Sequence, residues 1–343
     1  MTTPLVTALI DTCNYGRYVE DAIYSAREQG FPAADLEILV VDDGSTDDTP
    51  ERVRKFGNRV RYLAKSRGGQ ASALNVGLRE ARGSIVAFLD ADDVWLPGKV
   101  GKVTAALEHE PSAGLLYHSV IVWDTEEGRE FELPFRGVSG SLLDNLRVAT
   151  LYAPQAASGL VMRRQTALQV GPIPQGLTIM ADGFLGSAGA FVAPVLSLNE
   201  ALTKYRIHGS NLFAFKGSDP SRMRLKLQSQ RLLLSELRNW FAARYDVNHP
   251  CVAAHLKMHE LFERRLLFST GDVSRWQFFS HIRDSNRLYR PVWSRAYSVF
   301  KAACAPLALL LGYRAYGTVS RLYARSPLRK LRERVIDQWL KEP

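Results

Sequence analysis

The sequence predicts an α/β fold, with a mainly parallel sheet flanked by helices and a helical C-terminal region. Three observations predict it. Short runs rich in β-branched residues alternate with segments of helical spacing over the first ninety residues, and strands buried on both faces of a parallel sheet read as such continuous apolar runs. Each run ends in a polar turn, and most of these turns carry acids, which is where open parallel sheets hold ligands. From Asp219 onward the alternation gives way to long helical patterns.

In chain order, Leu5 to Ile10 (LVTALI) is the first expected strand, and Tyr18 to Gln29 carries apolar residues at helical spacing. Leu36 to Val41 (LEILVV) is the second strand and Thr49 to Phe56 the second helix. Val60 to Leu63, the helix Ala71 to Ala81 and the strand Ile85 to Leu89 (IVAFL) complete the series. A β, α, β, α, β order is the signature of a parallel sheet with helices on its faces.

The 343 residues are 46% hydrophobic and 23% charged, which excludes a disordered chain and leaves room for two domains. We place the boundary at residue 218, with an α/β unit over 1–218 and a basic helical region over 219–343. Charge follows that division. Residues 219–343 hold 23 Lys and Arg against 10 Asp and Glu, net +13, whereas residues 1–218 hold 21 against 25, net −4. Asymmetry of this size points to a partner surface for the basic part. Cys13, Cys251 and Cys304 are few and widely spaced and form no CxxC, which fits a reducing cytosol. The N-terminal residues lack the basic and apolar regions of a signal peptide, so the expected location is cytoplasmic.

The chemistry lies in the turns. Asp90, Asp92 and Asp93 place three carboxylates in four residues after IVAFL. Such a cluster repels itself unless a cation neutralises it, and hard divalent ions such as Mg²⁺ or Mn²⁺ take oxygen ligands together with substrate phosphates. The plainer alternative is a solvated turn capping the next helix. Asp43, in DDGSTDD, can accept hydrogen bonds from a base or a ribose, and Gly44 permits close backbone approach. The glycines of RGGQASALN open a helix whose free N–H groups suit a phosphate. Neither GxGxxG nor GxxxxGK[ST] occurs.

Together, Asn14-Tyr15, LEILVVDDGSTDDT, GGQASALNVGL and GSIVAFLDADDVWLPGKV resemble glycosyltransferase family 2, an inverting family with the GT-A fold, over about residues 3–215. The resemblance implies a nucleotide-sugar donor, UDP-sugar favoured, and a divalent metal, Mn²⁺ or Mg²⁺, bridging its diphosphate. It implies that Asp43 contacts the base with Asp11 beside it, that Asp90 approaches the ribose, and that Asp92 with Asp93 holds the metal. Asp182, in IMADGFL, matches the family's acceptor segment and would be the base that deprotonates the acceptor hydroxyl. There Ala181 stands for the usual acid, and Gly183 stands where an aromatic is often found. YRIHGSN resembles the segment that closes over the donor phosphates, with Arg206 pairing with the diphosphate and His208 donating to it or ligating the metal.

The expected activity is transfer of a sugar to an acceptor hydroxyl of a glycan or lipid-linked intermediate, in cell-surface polysaccharide or glycolipid synthesis. The alternative is a catalytically silent GT-A scaffold or glycan-binding module at the membrane. His255 and His259, at helical spacing without the HExxH glutamate, read as a solvated helix face. The apolar stretch 302–313 is only 12 residues, below the ~20 needed to span a bilayer. Flanked by arginines and aromatics, residues 296–340 suit the anionic inner face of a membrane, with a packing helix as the alternative. No nucleic-acid motif accompanies them, so nucleic acid is not an expected partner.

Overall fold

The computed structural model describes residues 4–132, 135, 137–153, 156–209, 211, 220–270 and 274–289. Along the first part run β1 (Val6–Thr12), α1 (Gly16–Arg27), β2 (Leu36–Asp42), α2 (Thr49–Arg54), β3 (Arg61–Ala64), α3 (Gln70–Glu80), β4 (Ile85–Asp90), the two-residue β5 (Val94–Trp95) and α4 (Lys99–His109). The second part adds β6 (Leu115–Asp124), β7 (Arg129–Glu132), α5 (Leu146–Leu151), β8 (Leu160–Arg163), α6 (Arg164–Val170), α7 (Ala181–Val192) and β9 (Val195–Ile207). Three helices follow: α8 (Pro220–Ala242), α9 (Pro250–Thr270) and α10 (Arg275–Tyr289).

Among the described residues one sheet carries all nine strands in the order β3-β2-β1-β4-β8-β6-β9-β5, with β7 paired to β6. The first four strands are mutually parallel, as the apolar runs predict. Short β8 runs antiparallel to β4 and β6, and β6 pairs parallel with β9, so the sheet is mixed but mainly parallel. Alternation along β1 distributes its side chains to two cores. Leu9 joins Leu74 and Leu78 of α3 on one face, while Ala8 and Ile10 join Val19 and Ile23 of α1 on the other. Both faces of the sheet are therefore covered, as parallel sheets require.

The expected element ends move by at most two residues, and tertiary contacts explain two of the shifts. The first strand runs on to Thr12, held in register by Asp42 of β2. Helix α1 begins at Gly16, two residues before the expected start, because the distant Asp47 carboxylate accepts the Gly16 N–H at 3.0 Å. Helix α4, which follows the acidic turn, begins at Lys99, after Gly98 in the left-handed region.

The apolar face of α8 packs on the sheet domain: Leu233, Leu234, Leu237 and Phe241 share one core with Phe184 and Leu185 of α7. His255 and His259 of α9 are not solvated, which corrects the sequence reading. His255 is buried against the rings of Phe191 and Phe241, and His259 Nε2 lies 3.1 Å from Ser187 Oγ. Burial holds both imidazoles below their usual range, with His259 pushed down to about 4, so each packs as a neutral ring. The stretch 296–340, read as a membrane element, lies outside the described residues. Among the described residues no helix is long and apolar enough to cross a membrane.

Gly77 sets the approach of α3 to β1, since a Cβ there would stand 2.3 Å from a Leu9 methyl. Gly77→Val is expected to lower stability by about 1–3 kcal/mol through overpacking. Chemical denaturation would read this as a lower midpoint at unchanged slope.

Candidate active site

The carboxyl ends of β1, β2 and β4 converge because the strands are parallel and in register. Asp11 pairs across the ladder with Asp90, and Asp43 follows β2. These strand ends open on a cavity of about 1780 Å³ lined by Asp11, Asp43, Asp90, Asp92 and Asp182. Asp93, Arg206 and His208 are buried behind this wall and do not line it.

Each turn is fixed by bonds that reach far along the chain. Asn14, at a positive φ of 59°, accepts the Thr46 N–H and so ties the turn after β1 to the turn after β2. Within DDGS the two acids divide the work. Asp42 is structural, accepting from Tyr62 Oη at 2.6 Å and from the Ser45 N–H. Asp43 accepts the N–H groups of Gly68 and Gly69 and an ion pair from Lys65 Nζ at 2.5 Å. The glycine-rich turn before α3 is thereby held against Asp43.

Asp90, Asp92 and Asp93 place ligand oxygens within 4.8 Å of one another. Asp93 is fully buried; its Oδ1 accepts the Arg206 N–H, and its Oδ2 has no hydrogen-bond partner. Burial first, and then the neighbouring acids, pushes the Asp90 and Asp93 carboxyls well above the usual carboxylate range. Burial likewise raises the Tyr15 phenol, with Asp92 and Asp90 adding to it. Beneath the cluster Lys99 is completely buried. Its ammonium lies 4.3 Å from the centre of the Trp95 ring and donates to the Ser158 carbonyl at 2.7 Å. Burial lowers its pKa well below normal, and only the Asp93 charge opposes that.

The segment after Tyr205 closes over this cluster. His208 Nε2 and Asn211 Nδ2 lie 3.1 and 3.2 Å from Asp92 Oδ2, and the His208 ring stacks on Tyr18. Arg206 donates to the Asp92 carbonyl and to Asp21 Oδ2, with its guanidinium over the rings of Tyr18 and Trp123. It braces the Asp92 backbone, and its charge is spent on Asp21.

Asp182 stands opposite the strand ends, in the first turn of α7. Met180 enters that helix at φ 66°, and Gln70 Oε1 accepts the Ala181 N–H, so the starts of α3 and α7 are locked together. The Ala157 and Gly183 N–H groups bond the Asp182 carboxylate, while burial, the larger effect, raises its pKa. Asp182 is also the first-ranking charge acting on Asp11. The structure thus brings together Asp11, Asp43, Asp90, Asp92 and Asp182 around one space and holds Asp93, Arg206 and His208 behind it. Sequence reasoning missed Lys65, Ser158 and Lys99. Asn211 was legible only as the last residue of YRIHGSN.

The acids can hold a hard cation. Asp90, Asp92 and Asp93 offer hard oxygen ligands within 4.8 Å of one another, and His208 Nε2 is a hydrogen-bond partner of Asp92 Oδ2 at 3.1 Å. Asp11 Oδ1 and Asp93 Oδ2 are buried carboxylate oxygens without a hydrogen-bond partner.

Residues 7–150 match the family model described as Glycosyl transferase family 2. An uncharacterized glycosyltransferase of Nostoc sp. is 30% identical over 250 residues, covering 70% of this chain and 76% of that protein. Among solved structures, S. aureus TarS residues 1–349 in complex with UDP-GlcNAc superposes with a TM-score of 0.58 at 21% identity, over 91% of this chain and 92% of that one. A mannosyltransferase of Pyrobaculum calidifontis, in complex with GDP-Man and Mn²⁺, superposes with a TM-score of 0.55 at 20% identity, over 100% and 89%. Both structural likenesses are likenesses of fold, and that fold is GT-A.

Burial, reinforced by Asp182, raises the Asp11 carboxyl to about 7. An unfolded Asp loses its proton near 4. Between about pH 4 and pH 7 the folded chain therefore keeps a proton that the unfolded chain has lost, and this group's contribution to stability falls as pH rises. Asp11→Asn is accordingly expected to gain stability relative to wild type between pH 5 and pH 8, read from urea midpoints without divalent ion. A difference that does not change with pH would remove Asp11 from the protonated set.

Proposed function

The chain belongs to glycosyltransferase family 2, and we propose that it is a metal-dependent inverting enzyme transferring a sugar from a UDP-sugar to an acceptor hydroxyl. The observation that carries this reading is the position of Asp182, a carboxylate across the same cavity from the acids at the strand ends. Support for the donor comes from TarS, whose crystal structure holds UDP-GlcNAc. S. aureus TarS, a poly(ribitol-phosphate) β-N-acetylglucosaminyltransferase, is 36% identical over 91 residues, covering 25% of this chain and 16% of that protein, which favours a role in cell-surface polymer or glycolipid synthesis.

In this reading the donor lies across the strand ends, its base beside Asp43 and Asp11 and its ribose beside Asp90. Asp92 and His208 would hold Mn²⁺ or Mg²⁺, with Asp93 behind them as a further charge. When bound, the ion neutralises the charge that develops on the departing diphosphate. Arg206 acts as a brace for Asp92, and reaches a diphosphate only if its pairing with Asp21 is released. Asp182 accepts the proton of the acceptor hydroxyl as that oxygen bonds the anomeric carbon from the face opposite the nucleotide. The carbon–oxygen bond to the diphosphate breaks, and its electron pair leaves with UDP. A buried carboxylate with a raised proton affinity suits this step near neutral pH. Residues 1–218 carry these roles, and residues 296–340 are the part we assign to the inner face of the membrane.

Asp182→Asn is expected to bind UDP with wild-type affinity and to lose transfer by about 10² or more. Calorimetry and release of UDP from UDP-sugar separate the two readouts. Weakened UDP binding with unchanged turnover would take Asp182 out of the base role, and no turnover of any UDP-sugar by the wild type would favour the silent scaffold.

A further inference from the structure

Two groups of the proposed reaction, the base and the acidic turn, are supported by one short piece of chain. The Ala157 N–H donates to Asp182 Oδ2 at 3.0 Å, a bond that reaches the carboxylate from outside α7. The next residue, Ser158, accepts the Asp90 N–H on its hydroxyl at 3.0 Å. Consecutive Cα atoms are ~3.8 Å apart, so a shift of the turn Ala157–Gly159 moves the supports of Asp182 and Asp90 together.

That turn is fixed by a side chain the proposed mechanism leaves unused. Lys99 is fully buried, and its Nζ donates to the Ser158 carbonyl at 2.7 Å and to Thr203 Oγ1 at 3.2 Å. Thr203 Oγ1 donates in turn to the same carbonyl at 2.9 Å, which closes a ring between α4, β9 and the 157–159 turn. An ammonium and a neutral amine can both give the two lysine bonds, so this geometry does not depend on the charge of Lys99. Burying a lysine where a methionine would fill the space is unfavourable unless its donors are satisfied. Here both bonds hold the segment that supports the two halves of the site. Asp90 and Asp182 line the cavity, whereas Lys99, Ser158 and Thr203 do not.

We propose that Lys99 is a positioning residue for the transfer step: through the Ser158 carbonyl it fixes the 157–159 turn, and through that turn the placement of the Asp182 carboxylate relative to Asp90. It touches neither donor nor acceptor. The assignment rests on the transferase reading, in which Asp182 is the base. Misplacing such a group by about 1 Å costs on the order of 10² in rate.

The test uses the full chain with Mn²⁺ and UDP-GlcNAc, UDP-glucose or UDP-galactose, reading UDP release as rate and calorimetry of UDP as binding. Lys99→Met keeps the apolar stem and removes both donors. Its kcat is expected to fall about 30- to 100-fold, while KM and the affinity for UDP stay within about threefold. In an Asp182→Asn background the same substitution is expected to lower kcat by less than about threefold, because residues that act as a unit are not additive. Thr203→Val removes one Lys99 acceptor and one donor to the Ser158 carbonyl at nearly the same shape. It is expected to lower kcat about tenfold, again absorbed by Asp182→Asn, and it carries the test if Lys99→Met does not fold. A lower urea midpoint with unchanged kcat, an equal loss of kcat with and without Asp182, or a loss of UDP affinity as large as the loss of kcat would each overturn the positioning role and leave the transferase reading standing. A wild type that neither binds UDP nor releases it from any of the three sugars would count against the transferase reading, and the positioning role would fall with it.

Discussion

The mutual repulsion of carboxylates at the ends of three parallel strands is the constraint around which this molecule is organised. Asp11, Asp90, Asp92 and Asp93 are brought together by strand register and one tight turn, and Asp182 is added from α7. Like charges at such separations cannot all ionise in a low-dielectric site. The surrounding structure reduces the conflict with donors: the Arg206 amide on Asp93, His208 and Asn211 on Asp92, and the Ala157 amide on Asp182. The residual conflict is left on Asp11, Asp90 and Asp93, whose carboxyls all bind protons more tightly than usual. A divalent cation would relieve it, and in the function we propose the anionic donor arrives with one.

Lys99 shows how far the accommodation reaches. A fully buried lysine is costly unless hydrogen-bonded, and here it donates to the Ser158 carbonyl and to Thr203 Oγ1. The Ser158 hydroxyl in turn accepts the Asp90 N–H. The loop before β8, the start of α4 and the acidic turn after β4 are therefore one hydrogen-bonded unit, although they come from segments about sixty residues apart.

Much of this was legible in the sequence for a simple reason: parallel strands advertise themselves as β-branched runs, and ligand turns follow them. LEILVV and IVAFL placed β2 and β4 to within a residue, and DDGS and DADD placed the acids. The strands after α4 were not read, because β6 and β9 mix polar with apolar residues and pair with partners distant in sequence. Local pattern also misled at His255 and His259, where i, i+4 spacing on an amphipathic helix suggested solvent. The face they occupy is covered by α7 and α8, which spacing within one helix cannot reveal. Arg206 was legible as a member of YRIHGSN, yet its pairing with Asp21, 185 positions earlier, was not.

The central claim is that the acids at the strand ends form a cation-dependent site for a nucleoside diphosphate. Calorimetric titration of UDP into the full chain, once with Mn²⁺ and once with a chelator, tests it most directly. The account predicts saturable one-site binding with the ion and at least tenfold weaker binding in the chelator, because Asp90 and Asp92 would then face the diphosphate without a counter-charge. Equal affinity in both solutions would contradict it.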